Sequence, residues 1–365
     1  MSHLVIHCGG PKTGSSALQY TLGTSREALA AHHLDYPLVT DETDPSRPST
    51  GNASSIPRQW KEPAAPEGGP NVFEERTQAL LARLKAIPPG QTVILSSEYF
   101  SDLTCAEWHK VFDLLAPLKR RISAITYFRR QVDQVNSIFG QFIKSGFRPE
   151  PRNFVTYSLG EHLCLAPHAW LERAKALPFA GVDLAAYDRH ALAAGDITTD
   201  FLTRVARLTG AAVPPLRTTP EVNPSFNGEA LSLKFWLNIA APTMPENYAI
   251  LAVLERIPEF RAGARGPQLV LPREEVERIE RRFAEDNARA VETLGPSFRS
   301  LLAPRPDTVE FVDVTRPPSP RACALFWRHW ADAERTESPF RRGIMAGLAP
   351  RLEAALAEAR APALT

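Results

Sequence analysis

With four cysteines, three methionines and a net charge of +1 in 365 residues, the chain leaves little room for several classes of protein. Cys8, Cys105, Cys164 and Cys323 are far apart and make no C-x-x-C pair, so neither a disulfide framework nor a structural zinc site is expected. The near-neutral balance provides no chain-wide basic field for nucleic acid, and any anion site must come from local placement of charge. No run of about 18 apolar residues occurs, so no membrane-spanning helix is expected. The first residues enter a strand without a basic segment followed by an apolar stretch; no signal peptide is read, and the expected location is cytoplasmic. At 44% hydrophobic, the chain suits one large domain, or one domain with an appendage.

What is present is concentrated at the front. Leu4-Val5-Ile6 is a short apolar run that breaks at Gly9-Gly10-Pro11, and Ala17, Leu18 and Leu22 resume at helical spacing after Gly14. The pattern predicts a strand, a glycine loop and a helix. Thr13, Ser15 and Ser16 fall where the helix begins, so hydroxyls and unclaimed backbone N–H groups share the positive end of the helix dipole, a place that attracts phosphate or sulfate.

One lysine is missing from this pattern. Gly9, Gly14 and Ser16 keep the spacing of G-x-x-x-x-G-K-[ST], but Ser15 stands where the lysine belongs, and the loop's lysine is Lys12. That argues against ordinary ATP or GTP hydrolysis. The structural alternative is a βα turn in which the glycines only reverse the chain. The segment His7-Cys8-Gly9-Gly10-Pro11-Lys12-Thr13-Gly14-Ser15-Ser16-Ala17-Leu18-Gln19 resembles the 5′-phosphosulfate loop, P-K-[ST]-G-[ST]-[ST], of sulfotransferases that use 3′-phosphoadenosine 5′-phosphosulfate (PAPS).

Along the chain, a first helix is expected from Thr13 or Ser15 to about His33, ended by Leu34-Asp35-Tyr36-Pro37. Residues 39–70 turn to Asp, Ser, Thr, Pro and Gly, and an irregular, mobile loop is expected there. It is either a cover over an acceptor site or a solvated insertion. A helix over Phe73 to Ile87 precedes the buried strand Thr92-Val93-Ile94-Leu95-Ser96, which places Glu98 at the strand's carboxyl end, the ligand edge of a parallel sheet. Cys105 to Leu118 is expected as helix. The strand Ile122 to Phe128 ends at Arg129 and Arg130, and a helix with Val132, Val135, Ile138, Phe139 and Phe142 on one stripe runs to about Lys144. Helices over 165–177 and 196–208 flank a strand over 181–187, with Gly210 closing the second. The alternation argues for a doubly wound α/β sheet.

The resemblance implies more than the spacing does. In these enzymes an arginine at a strand end and a serine eight residues later hold the donor's 3′-phosphate, and Arg129 and Ser137 match that pattern in the same chain order. Arg130 and Arg189 are read as surface residues. The resemblance implies a P-loop NTPase-like three-layer α/β/α fold with a central, mostly parallel sheet and a helical C-terminal cap. It implies PAPS as co-substrate, no metal, and Lys12, Thr13, Gly14, Ser15, Ser16, Arg129 and Ser137 as donor-binding residues. Lys12 is also placed on the leaving phosphate, and Glu98 as the base, since Ser96-Ser97-Glu98-Tyr99-Phe100 resembles the glutamate-bearing segment of carbohydrate sulfotransferases. Histidine is the base in other members; His7 reads as structural, His32 and His33 close a helix, and His109 and His162 remain. The resemblance implies a small-molecule or carbohydrate acceptor, and the near-neutral charge predicts no nucleic-acid partner.

The expected division is an α/β domain over 1–310, including a helical cap over 223–295, then a Pro-rich linker and helical extension over 311–365. The cap carries a helix through Leu231, Leu233, Phe235, Trp236 and Leu237 and another over 272–294. Arg282-Phe283-Ala284-Glu285-Asp286-Asn287 on the latter also resembles bacterial members. Two alternatives stay open: a P-loop kinase or NTPase, favoured by the Gly9 to Ser16 spacing, and a non-catalytic anion-binding member of the fold.

Overall fold

The structure, a computed structural model, describes residues 2–38, 51–62, 71–160, 163–218, 225–241, 243–262, 268–303 and 308–360. In chain order the principal elements are β1 (His3–Gly9), α1 (Ser15–Thr24), α2 (Arg26–Ala30), β2 (Leu34–Asp35), α3 (Ser55–Lys61), α4 (Val72–Ala86), β3 (Thr92–Ser97), α5 (Cys105–Leu115), β4 (Arg121–Phe128), α6 (Gln131–Lys144), α7 (Pro151–Ser158), α8 (Pro167–Lys175), β5 (Gly181–Ala186), α9 (Ile197–Thr209), α10 (Gly228–Leu237), α11 (Met244–Leu254), α12 (Arg273–Leu294), α13 (Pro320–Thr336) and α14 (Pro339–Arg360). They form two compact units. One comprises Met1–Gln131, Glu161–Val222 and Phe283–Ala303; the other comprises Val132–Gly160, Asn223–Arg282 and Pro304–Thr365. The division therefore interleaves along the chain instead of falling at residue 310, and α13 and α14 belong to the second unit.

The first unit is built on a five-stranded sheet of order β2-β3-β1-β4-β5 in which every pairing is parallel. Residues alternate between its faces as a pleated strand requires. Leu4, Ile6 and Cys8 of β1 join Val93, Leu95, Ala124 and Leu184 in one core under α4, α5 and α8. Val5, Ile94, Ile125 and Ala185 join the opposite core under α1, α2 and α9. Apolar helices on both faces make three layers, and they explain why the strands read as nearly unbroken hydrophobic runs. After β1 the chain moves toward one sheet edge, and after β3 and β4 toward the other. Right-handed crossovers then put the following helices on opposite faces, which opens a crevice at the carboxyl end of β1.

Several local readings change. The expected helix to His33 is two helices parted at Ser25, because the Thr24 hydroxyl donates to the carbonyls of Tyr20 and Thr21 at the end of α1. Leu34 and Asp35, read as a terminator, are the edge strand β2, paired with Thr92 and Val93. Within 39–70, residues 51–57 are buried and Ser55–Lys61 form α3, so a turn and a helix stand where a loop was expected; 39–50 and 63–70 lie outside the described residues. α5 stops at Leu115, and Ala116–Leu118 is a tighter turn with Pro117 in its first positions.

In the second unit α10 and α11 pack against α13 and α14. The C-terminal end of α6 is closed by Gly146 at φ 96°, with Phe147 N–H donating to Phe142 C=O (3.0 Å) and Gly146 N–H to Ile143 C=O (3.1 Å). Side-chain amides add to this closure: Asn238 donates to Ile143 C=O (2.9 Å) and Phe147 C=O (2.8 Å), and Asn247 to Lys144 C=O (3.1 Å). α11 carries a capping box, Thr243 with Glu246, a signal visible in Thr243-Met244-Pro245-Glu246 but not read from the sequence above. Among the described residues no helix is long and apolar enough to cross a membrane.

Lys234 on α10 is fully buried and donates to Asn238 Oδ1. Burial pulls its pKa down to about 7. The folded value lies below the unfolded one, so between about pH 7 and 10 only the unfolded chain is protonated there, and stability rises with pH. Lys234→Met should be the more stable chain at pH 7, by an amount that shrinks toward pH 10. Urea unfolding of both chains across that range measures it, and a pH-independent difference would exclude this origin.

Candidate functional site

The site forms where β1, β3 and β4 end side by side. The loop leaving β1 turns through two left-handed residues, Lys12 (φ 63°) and Gly14 (φ 80°). A lysine in that region is strained, and such strain persists only where surrounding contacts hold it. Those contacts are explicit. Thr13 donates to the Gly10 carbonyl through both N–H (3.3 Å) and Oγ1 (2.6 Å), and Arg129 Nη1, from the end of β4, donates to the Lys12 carbonyl (3.2 Å). α1 makes its first helical bond from Leu18 N–H to Gly14 C=O (3.0 Å), which leaves the N–H groups of Ser15, Ser16 and Ala17 outside the helical ladder at the positive end of the dipole.

The hydroxyls divide their work. Thr13 is buried with its hydroxyl committed to the loop, and Ser15 is buried with its hydroxyl donated to the Glu98 carboxylate. Ser16 alone of the three faces solvent. Glu98 starts a single tight turn after β3, capped by Ser97 Oγ accepting from Tyr99 N–H (3.2 Å), and Ser101 Oγ donates to the Glu98 carbonyl (2.7 Å). Burial raises the Glu98 pKa above the usual carboxylate range, while the Ser15 hydrogen bond and the Lys12 charge pull it back. Lys12, Ser15, Glu98 and Arg129 are thus brought together in the first unit. Ser137 lies on α6 in the second unit, partly buried.

Comparison with family models, curated proteins and solved structures returned no match for this chain. Its chemistry is therefore read from its own residues.

Several of these the sequence reading missed. Tyr187, just past β5, lies against the loop: a β-carbon on Gly14 would stand 2.8 Å from its Oη. Gly51 and Asn52 hold the end of β3. Where β2 stops, the Asn52 side chain continues the ladder, donating to Ile94 C=O (3.1 Å) and Pro37 C=O (2.9 Å) and accepting from Ser96 N–H (2.8 Å). A β-carbon on Gly51 would sit 2.0 Å from the Ser96 carbonyl oxygen. Asp286 and Asn287 also acquire places. Asp286 accepts from His168 N–H (3.1 Å) and Ala169 N–H (3.0 Å) at the start of α8. Asn287 and Gln131 exchange amide hydrogen bonds (2.7 and 3.0 Å) two residues beyond Arg129.

Among the histidines, His7 is fully buried beneath the loop, His109 and His33 are exposed, and His162 lies outside the described residues. Arg189 is exposed and Arg130 partly buried. Among the described residues no group of three or more His, Cys, Asp or Glu is arranged to hold a metal ion.

Asn52→Ala strips partners from buried backbone groups of β3 and should cost about 2–4 kcal/mol of unfolding free energy; a denaturation midpoint unchanged from the parent would refute the ladder role. Glu98→Gln should act in the opposite direction. A carboxyl whose pKa is raised by the fold loses stability as pH rises through the folded value, so the neutral amide should melt higher at pH 7–8. The gain should vanish in acid, where the parent is protonated as well.

Proposed function

We propose that the chain is a sulfotransferase that moves a sulfuryl group from PAPS to a hydroxyl or amine acceptor, with carbohydrate the acceptor class suggested by the sequence resemblance. The observation that carries this reading is the Glu98 carboxylate at the carboxyl edge of a parallel sheet, bonded by the Ser15 hydroxyl of the glycine loop and within the electrostatic reach of Lys12. On this reading the three-layer unit is of the P-loop NTPase-like kind, and a cytoplasmic location goes with it.

Each residue then has a task. The N–H groups of Ser15, Ser16 and Ala17 and the Ser16 hydroxyl receive the donor's 5′-phosphate. Arg129 already spends one N–H on the Lys12 carbonyl; its remaining donors are available to the 3′-phosphate, and Ser137 is its partner there by the resemblance alone. In the transfer, the acceptor oxygen forms a bond to sulfur as the sulfur bond to the phosphate bridge oxygen breaks in line. The acceptor's proton passes to the Glu98 carboxylate. Charge growing on the leaving phosphate meets the Lys12 ammonium, the positive charge that a metal supplies in nucleotide hydrolases. A general base works best with its pKa near the working pH, and burial moves Glu98 in that direction.

The Gly9 to Ser16 spacing favours a second reading, a P-loop kinase or NTPase. Isothermal titration with 3′-phosphoadenosine 5′-phosphate and with ATP, each with and without magnesium, separates the two. The sulfotransferase reading expects metal-independent binding of the bisphosphate that weakens about ten- to a hundredfold in Arg129→Ala. Preference for ATP with magnesium, or indifference to Arg129, would sink it. With an acceptor in hand, Lys12→Ala should lower kcat by about 10²- to 10³-fold while nucleotide still binds. If nucleotide binds the parent chain and no acceptor turns over, the non-catalytic alternative takes its place.

A further inference from the structure

Beneath the loop lies a buried polar chain that the proposed chemistry does not use. His7 projects from β1 toward the face covered by α1, is fully buried, and is held edge-on between the rings of Tyr127 (5.9 Å between centroids) and Phe201 (5.3 Å). Its Nδ1 lies 2.8 Å from Ser96 Oγ, and Ser96 Oγ accepts from Gln19 Nε2 at 3.1 Å. Accepting from Gln19 leaves Ser96 its own proton for His7 Nδ1, the arrangement in which the imidazole proton sits on Nε2. Burial draws its pKa down to about 3, so the ring stays neutral and keeps this single N–H.

Among the described residues Nε2 has no hydrogen-bond partner. Its position is fixed by what surrounds Gly9: a β-carbon there would lie 2.9 Å from His7 Cε1, 3.4 Å from His7 Nε2 and 3.0 Å from Ser15 Cβ. The ring edge bearing the orphan N–H thus fills the space under the loop, between the end of β1 and the first turn of α1. A buried donor left unsatisfied costs about 1–3 kcal/mol, and native folds retain few of them. The loop above it presents unclaimed backbone N–H groups at a helix N-terminus, so the donor and the loop share one complementary ligand, an oxyanion.

We propose that His7 is a binding residue of the loop, donating from Nε2 to the phosphate or sulfate oxyanion seated there, with Ser96 and Gln19 as the residues that set its tautomer. This rests on the reading of the loop as an anion site, and it does not depend on which nucleotide delivers the anion. It revises the sequence expectation that His7 is structural.

The test is long-range ¹H–¹⁵N correlation spectroscopy on the full chain labelled at histidine nitrogen. The His7 signals are assigned by their loss in His7→Phe, and the sample is titrated separately with 3′-phosphoadenosine 5′-phosphate, ATP and inorganic pyrophosphate. The free protein should show His7 as the neutral Nε2–H tautomer from pH 5 to 8, and a bound oxyanion should move the Nε2–H proton downfield. Ser96→Ala, which keeps the ring but removes the group that selects the tautomer, should mix the tautomers and weaken binding about three- to tenfold. Backbone amide shifts report loop occupancy independently. If the loop amides respond and the His7 Nε2–H does not, or if the free protein shows the Nδ1–H tautomer, the proposal is overturned while the sulfotransferase reading survives. If His7 responds to ATP or pyrophosphate but not to the bisphosphate, the proposal stands and the sulfotransferase reading falls. If no oxyanion moves either signal, both fall.

Discussion

The site depends on one hydrogen bond, from the Ser15 hydroxyl to the Glu98 carboxylate. It joins the first turn of α1 to the turn after β3, and it makes a mostly buried carboxylate tolerable beside the loop. An unpaired acid there would be strongly disfavoured in its ionised form. With the bond in place and Lys12 nearby, the charge is supported from two sides, although burial still dominates and its pKa remains high. The loop's shape follows from the same need to close on fixed neighbours. Thr13 and Arg129 take up the carbonyls of Gly10 and Lys12, and Lys12 can then hold a backbone conformation that a lysine in a free loop would leave.

Behind that bond stands the sheet. β1 is central and paired on both sides, so its chain can leave only at the end, and its helices α1 and α2 cover one face while α5 and α8, after β3 and β4, cover the other. The edge strand β2 is only two residues long, and it stops well before β3 does. Asn52 supplies with one side chain what a longer strand would supply with backbone, and Gly51 lets it approach. The end of β3, and with it Glu98, is therefore held by a segment whose composition resembles a loop.

Much of this could be read in advance where one stretch of chain carries its own signal. The strand, glycine loop and helix at the front were legible because apolar periodicity, glycine and hydroxyl residues fall in order within twenty residues. Glu98 and Arg129 were legible as strand-end residues, since both strands are unbroken apolar runs with an abrupt polar stop. The Ser25 break, β2 and α11 were not. In each, the deciding interaction is a hydroxyl donated to a helix carbonyl, a two-residue pairing or a cap, too small to change the composition around it. The three hydroxyls of the loop look equivalent in sequence, yet only Ser16 faces outward.

What the sequence by itself determined is the alternating α/β plan and the placement of a glycine- and hydroxyl-rich loop at a strand end, because buried parallel strands and helix starts are written in local apolar runs and turn residues. Tertiary structure alone decided that Ser15 serves Glu98, that Arg129 braces the Lys12 carbonyl, that Asn52 completes the ladder of β3, and that His7 stands under the loop with its Nε2 unpartnered among the described residues. Each of those contacts joins residues far apart in the chain, and a hydrogen bond is fixed by distance and direction in space, which no spacing along the sequence encodes.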